Sequence, residues 1–501
     1  MGNHEGSASL AIDQLSPSAT EWITYPPFVR SRLIVLGSLS LCVYSGIGWL
    51  SQSFVYGQGH RQRPILEFLA LYAGAFVLYV LALRLIVHLQ NKAGRAALAM
   101  TPPLNLRAGL IFFFAILFRT LLLFSNPIQE DDFYRYLWDG KVVASGLNPY
   151  SIAPSAVLRR QEGSDAYVQL LESDQAFSLI LSRVNHPDVP TIYPPLAQGV
   201  FALAALVAPG SLVGLRLIFL TFDLGIWFLI VDLLRRLRLD PTWALVYAWS
   251  PLVIKETINS AHYDVVPIFF LVLGAGLLLH GRWLYAHVSL AFAVLGKIYP
   301  LLLLPLFAWK TTAAYGWKRA LSGVGVVVTL IGAGYMPFLA AGHSLWQGTL
   351  TFAEQWQTNS LLFPLLHMLV GDRWIANVLV VGILIALSLA LLYRKNLQDD
   401  RSFLHGIFTL LGALFLLSPV GDPWYYVWLT PFLCILPLLS WILLSGLLSL
   451  YYLSFYFMYH RMAEAFQWVM WLEYAPFYGL LLYEYWSGWA KKRTSRAASF
   501  F

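Results

Sequence analysis

Charge is scarce in this chain and cysteine is nearly absent. Of 501 residues only 12% are Asp, Glu, Lys or Arg, and the two cysteines, Cys42 and Cys434, each sit inside an apolar run. A disulfide framework and a thiolate metal site are thereby excluded. The first thirty residues lack the basic start and short apolar core of a cleaved signal; they are polar and carry Glu5, Asp13 and Glu21. No period of about 20 to 50 residues recurs, so a solenoid or an inverted-repeat transporter finds no support. The formal net charge is +7. Its Lys and Arg residues occur in short clusters between apolar runs and form no basic face, so no nucleic-acid partner is expected.

What the chain has in excess is apolar sequence: 58% of residues are hydrophobic and the mean hydropathy is +0.64. Runs at 32–50, 65–88, 108–125, 212–233, 242–257, 265–281, 284–297, 299–309, 320–339, 374–393, 402–419, 424–441, 443–459 and 468–486 read as spans or half-spans of a hydrocarbon core roughly 30 Å thick. The expected fold is an all-α polytopic transmembrane bundle of about fourteen crossings. Basic clusters set its orientation: Lys92 with Arg95, Arg235-Arg236 with Arg238, Lys310 with Lys318-Arg319, Arg394-Lys395 and Lys491-Lys492-Arg493 should face the cytoplasm. The run 196–208 is too short to cross and opens after Tyr193-Pro194-Pro195. Counting it as a span would also carry Arg235 to Arg238 outside. It reads as an amphipathic helix on the bilayer surface, within one outward loop spanning 126–211. The domains expected are a cytoplasmic tail 1–31, a membrane domain 32–486 with a second outward loop at 340–373, and a basic cytoplasmic tail 487–501. His60, Arg61 and Arg63 fall outside on this scheme, against the rule.

The outward mouth of the bundle carries three consecutive carboxylates, Glu130, Asp131 and Asp132. They cannot all point one way, and one that enters a cavity would have its pKa raised by burial and like charge into the working range of a base. A solvated acidic helix start is the competing reading. The following Phe133-Tyr-Arg-Tyr-Leu-Trp138 is too aromatic for a plain solvated face. Tyr134, Tyr136 and Trp138 recur on one side at helical spacing, as sugar-binding or interfacial aromatics do. Gly146-Leu-Asn-Pro-Tyr150 ends that helix with a turn.

Asp132-Phe-Tyr-Arg-Tyr-Leu-Trp-Asp-Gly-Lys-Val142, Gly146-x-Asn-Pro-Tyr150, Pro190-Thr-Ile-Tyr-Pro-Pro195, Lys297-Ile-Tyr-Pro300 and Pro423-Trp-Tyr425 together resemble the C-type glycosyltransferases, polytopic enzymes that use polyprenyl-phosphate sugars. The bacterial mannosyltransferase-like branch is the most similar, over residues 100 to 430. The resemblance implies a catalytic acidic motif in the first large outward loop and a lipid-linked donor. With the Asn-Pro-Tyr turn in register, the catalytic aspartate falls on Asp132, Glu130 is the first acidic member, and Asp131 is a close second candidate.

On that reading mannose, the sugar the branch implies, passes from a polyprenyl-phosphate donor to a glycan or glycolipid acceptor, at the outer face of a bacterial inner membrane. Asp132 takes the acceptor proton, and inversion follows. A lipid phosphate, with a second pKa of about 6, leaves without a proton, so one carboxylate suffices where a glycosidase needs two. Candidate phosphate holders are cations at outward helix ends, Lys255, His262, Lys297 and Arg461, with snorkelling or local pairing as the competing reading for each. Tyr134, Arg135, Trp138, Asn259, Glu354 and Trp356 are the candidate sugar and acceptor contacts. His262 and Asp264, two apart, do not converge on a metal; no cofactor is required and ligand spacing gives a divalent cation no support. Relatives often carry His where this chain has Asp422, which counts against a phosphate role there. Two other classes compete: a transporter or flippase of polyprenyl-linked glycans, which has no need of an acidic loop outside the membrane, and an envelope scaffold, which predicts no cavity near Asp132.

Overall fold

In the computed structural model, residues 27–93, 106–393 and 398–497 are described. Residues 1–26 and 498–501 of the two tails lie outside the described residues, as do Arg95, Arg394 and Lys395. Among the described residues the protein is all helix and loop, save one isolated parallel bridge between Thr358 and Val420. Among the described residues eight helices are long and apolar enough to cross a membrane: Arg30–Ser51, His60–His88, Leu106–Leu123, Leu212–Arg236, Trp317–Ala341, Arg373–Tyr393, Asp400–Leu417 and Leu439–Tyr459. This is the architecture of a polytopic integral membrane protein.

Six of the fourteen apolar runs take other forms, each for a local reason. The run 242–257 is cut by Pro241 and Pro251, with Asp240 and Ser250 capping the pieces, into short helices that end in a π-helical turn at Lys255–Asn259. Pro300 and Pro305 divide the run 299–309, and Pro423, Pro431 and Pro437 break 424–441. Val265–Leu279 and Trp283–Gly296 are apolar but short; at 1.5 Å per residue each reaches about 20 Å. They form a hairpin with most of their residues buried, Gly274 sitting against the Ala286 carbonyl. The last helix, Phe466–Ala497, carries Glu473, Glu484 and several tyrosines, which lower its hydropathy.

Two buried arginines tie the bundle together. Arg119 forms a salt bridge with Asp223, and its Nη1 donates to the Ala248 carbonyl at 2.8 Å. Tyr247 adds an O–H to the same carboxylate at 2.6 Å. Two long helices are thereby joined to the broken segment, and removing one member of such a pair costs about 3–5 kcal/mol. Arg216 instead caps carbonyls: Nη1 donates to Leu123 and Ser125 at 2.8 and 2.7 Å, and Nη2 to Asn259. Asn259 in turn accepts from the Ile128 amide at 2.9 Å and donates to Ser125 Oγ and the Asn126 carbonyl. Arg216 and Asn259 therefore fix the chain from 123 to 128, immediately before the acidic triplet.

Helices Phe133–Ala144 and Pro195–Val207 pack face to face. Gly140 permits it: a Cβ there would stand 2.2 Å from the Phe201 carbonyl oxygen. Tyr136 stacks on Phe201 with ring centroids 4.6 Å apart. Tyr150 Oη donates to the Tyr193 carbonyl at 2.6 Å, and Asn148 Oδ1 accepts from the Tyr150 amide. The Asn-Pro-Tyr turn is thus bolted to the 190–195 segment.

Candidate active site

The acidic triplet opens on a residue in an unusual conformation. Gln129 has φ 66°, a left-handed backbone that a non-glycine residue adopts at an energetic cost. Its side chain is held by Arg63 Nη1 and by Tyr459 Oη, which donate to Oε1. The basic first loop is thereby brought onto the triplet itself. Asp132 begins helix Phe133–Ala144 without capping it through its side chain. Asn185 Nδ2 instead bridges the two aspartates, 2.9 Å from Asp131 Oδ1 and 2.6 Å from Asp132 Oδ1. The plain solvated helix start does not describe this arrangement.

All three residues of the triplet contribute to the lining of a cavity of about 550 Å³, although their side chains do not point one way: Glu130 Oε2 lies 4.0 Å from His262 Nε2. Burial, reinforced by Glu256 and the two aspartates and opposed by Lys255, pushes Glu130 well above the usual carboxylate range. Asp131 is pushed up to about 6 by burial and by Asp132, against the Asn185 hydrogen bond and Arg63. Across the cavity, burial raises Asp422 to about 7, with Thr358 and Lys297 opposing the rise and Asp132 and Glu256 adding to it. His186, on the same wall, is lowered by burial.

The cavity's cations are Arg135 and Lys297. Arg135 Nη2 donates to the His186 and Val189 carbonyls at 3.2 and 2.9 Å, so one helix side chain shapes the facing loop. Lys297 follows the end of helix Trp283–Gly296 in extended backbone. Its Nζ lies 2.6 Å from Asp264 Oδ1 and over the Tyr425 ring, 4.2 Å from its centroid, with Tyr263 and Trp428 around it. Trp428 Nε1 donates to the same Asp264 oxygen at 2.6 Å. Trp356, from the 340–373 loop, reaches the rim and packs against His186.

The other sequence candidates lie elsewhere. Lys255 is buried away from the cavity, bonded to Ser260 Oγ at 2.7 Å and to Tyr452 Oη, with Glu256 at 3.6 Å. His262 stacks on Trp424 at 4.2 Å, its Nδ1 3.2 Å from Glu256 and its Nε2 4.0 Å from Glu130. These two residues form a layer behind the triplet. Asn259 is spent on the 123–128 segment. Tyr134 Oη accepts from Arg183 at 2.8 Å, and Trp138 is buried in the core. Glu354 and Arg461 are exposed and off the cavity. Asn185, His186, Tyr193, Tyr263, Asp264 and Asp422 do line it. Of these, Tyr193, inside Pro190–Pro195, and Asp422, beside Pro423-Trp-Tyr, stood next to recognisable motifs; Asn185 and His186 had no such signal. Among the described residues no group of three His, Cys, Asp or Glu side chains converges as a metal site.

Fold and site together define a polytopic membrane protein whose helical bundle encloses an acid-lined, aromatic-walled cavity. The family model described as alpha-(1->6)-mannopyranosyltransferase, N-terminal domain, matches residues 28–313, and the chain belongs to this family. The resemblance read at 132–150 is borne out at that level. Alpha-(1->6)-mannopyranosyltransferase B of Corynebacterium glutamicum is 23% identical over 360 residues, which is 64% of this chain and 57% of the relative. Alpha-(1->6)-mannopyranosyltransferase A of Mycobacterium tuberculosis is 24% identical over 338 residues, 61% of each chain. A probable alpha-(1->6)-mannopyranosyltransferase of Mycolicibacterium smegmatis is 22% identical over 379 residues, 64% of this chain and 63% of the relative. The chain thus spans about three fifths of the length of these curated relatives. No solved structure matches it. The matched stretch holds the triplet, Asp264 and Lys297, whereas the wall from Trp356 to Tyr451 lies beyond it.

Proposed function

We propose that the protein transfers a mannosyl unit from a polyprenyl-phosphate donor to a glycan or glycolipid acceptor at the outer face of the membrane. The observation that carries this reading is the convergence of Glu130, Asp131 and Asp132 on one cavity that also holds Lys297 and Arg135. In the step itself the acceptor oxygen attacks the anomeric carbon, whose bond to the phosphate oxygen breaks, and Asp132 takes the acceptor proton. A single displacement inverts the anomeric centre. Asn185 holds the Asp132 carboxylate in place, and Asp131, drawn to the same amide, is the alternative base. The departing phosphate needs a cation in a low-dielectric site, and Lys297 and Arg135 are the cavity residues that supply one. Mannose is supported by the relatives, which are alpha-(1->6)-mannopyranosyltransferases.

The test uses purified enzyme, a synthetic polyprenyl-phosphate mannose and a mannoside acceptor. Asp132→Asn should lower kcat about 10²- to 10⁴-fold, as loss of a general base does, with the protein still folded. Lys297→Met should mainly weaken donor use. Full turnover by a folded Asp132→Asn protein would refute the assignment, and loss confined to Asp131→Asn would move the base one residue.

A further inference from the structure

Beside the acidic cavity lies a second, of about 320 Å³, walled on one side by the polar run Gln357-Thr358-Asn359-Ser360 and on the other by Phe455, Phe466 and Met470. Thr358 and Phe455 line both cavities, so a single layer of side chains separates them. Resting on the transfer reading above, we propose that this second cavity binds a saccharide unit of the acceptor.

The polar run decides the ligand class. Gln357 Oε1 is taken by Arg373 at 3.0 Å, and Ser360 Oγ donates to the Pro419 carbonyl at 3.0 Å. Asn359 Oδ1 is buried without a partner, while the Thr358 hydroxyl stands beside Asp422 with its lone pairs unclaimed. Asn359 is 2% exposed, and its amide is oriented by an Nδ2 hydrogen bond to the Gly421 carbonyl at 3.2 Å, which leaves the oxygen free. Backbone hydrogen bonds from Thr358 to Pro419 and from Gly421 to Thr358 zip the run to the segment leading into Asp422. The wall is therefore preformed. Behind it Glu473 is fully buried, with the Asn359 side chain and the Tyr451 backbone as its polar neighbours.

Such a wall presents oxygen acceptors and a nearby carboxylate, and none of the residues lining the cavity is cationic. A phosphate would find no counter-charge, and an acyl or prenyl tail would leave the buried oxygens unmet. A polyol satisfies them by donating O–H, while the opposite aromatic and methionine surface takes the C–H face of a sugar ring. The volume is at the small end of ligand sites, about 300–1,000 Å³, which suits a saccharide unit better than a whole glycolipid. Thr358, Tyr451 and Phe455 are the layer such a saccharide shares with the acidic cavity.

The test varies this wall in the full-length enzyme, with octyl mannobioside as the acceptor probe. Asn359→Leu is close in volume and removes the free oxygen at a residue that lines only the second cavity, and Met470→Trp fills the cavity from the last helix. Each should raise acceptor KM about tenfold or more, the worth of one hydrogen bond near 1.4 kcal/mol, with donor KM little changed. Unchanged acceptor KM in both variants, or a rise in donor KM alone, would overturn the proposal. Calorimetric binding of octyl mannobioside to the Asp132→Asn protein separates this inference from the transfer reading. Binding abolished by added Met470→Trp supports the site even if the wild type transfers no sugar. Retained binding defeats the site even if the wild type is fully active.

Discussion

Asp131 and Asp422 both line a cavity that raises their pKa values, and their titrations make separate predictions. With Asp131 at about 6, whether it acts as base or shares the Asn185 amide with Asp132, kcat/KM should fall as pH drops through about 6. In a pH profile of Asp131→Asn that acid limb should move or vanish; an unchanged limb would assign it to another group. For Asp422 the sign runs against the charged form. Its pKa is raised to about 7 in the folded protein, so the penalty for ionising it is fully present above pH 7. The penalty fades as pH falls toward the ordinary carboxylate value. Asp422→Asn should therefore raise Tm in detergent at pH 8, with the gain disappearing near pH 4. Equal Tm values at pH 8 would show that water or a partner group already relieves the charge.

The helix pair Phe133–Ala144 and Pro195–Val207 aims Asp132 as a unit. One residue of the first helix controls its closeness to the second, because Gly140 leaves no room for a Cβ against the Phe201 carbonyl. Gly140→Leu should pry the pair apart, displace Arg135 from the His186 and Val189 carbonyls, and lower kcat at least tenfold with a measurable loss of Tm. A variant with wild-type rate would mean that the pair does not position the triplet. The broken segments contribute in the same way. The π-helical turn ends in the residues from Ala261, with φ 58°, to Asp264, and Asp264 is delivered to Lys297 from there.

Membrane sidedness belongs to the whole molecule. The proposed orientation places 126–211 entirely outside, with Arg235 to Arg238 in the cytoplasm. Cysteines introduced at Glu162 and at Pro209, both exposed, in a Cys42→Ser, Cys434→Ser background should both react with an impermeant thiol reagent on intact cells. Labelling at Glu162 alone would mean that Pro195–Val207 crosses the bilayer, and the later part of the topology would invert. Its thirteen residues, about 20 Å of helix, and its packing on Phe133–Ala144 both favour the surface position.

Hydrophobic runs, proline positions and the unbroken Glu130-Asp131-Asp132 triplet are local properties, so the helical membrane bundle, the triplet as a candidate and the family resemblance could all be read without coordinates. Proline breaks inside the apolar runs were equally present in the sequence. How they divide a run into half-length pieces depends on what those pieces pack against, and among the described residues eight long apolar helices remain. The partition of the cations was decided only in three dimensions. Lys255 and Lys297 both end apolar runs and look alike in one dimension, yet one Nζ turns into a Glu256 and Tyr452 network and the other onto the cavity wall. Asn185, Asp264 and Asp422 reach Asp132 from 53, 132 and 290 residues away. No spacing rule spans such separations, because burial, like charge and close packing act on distance through space.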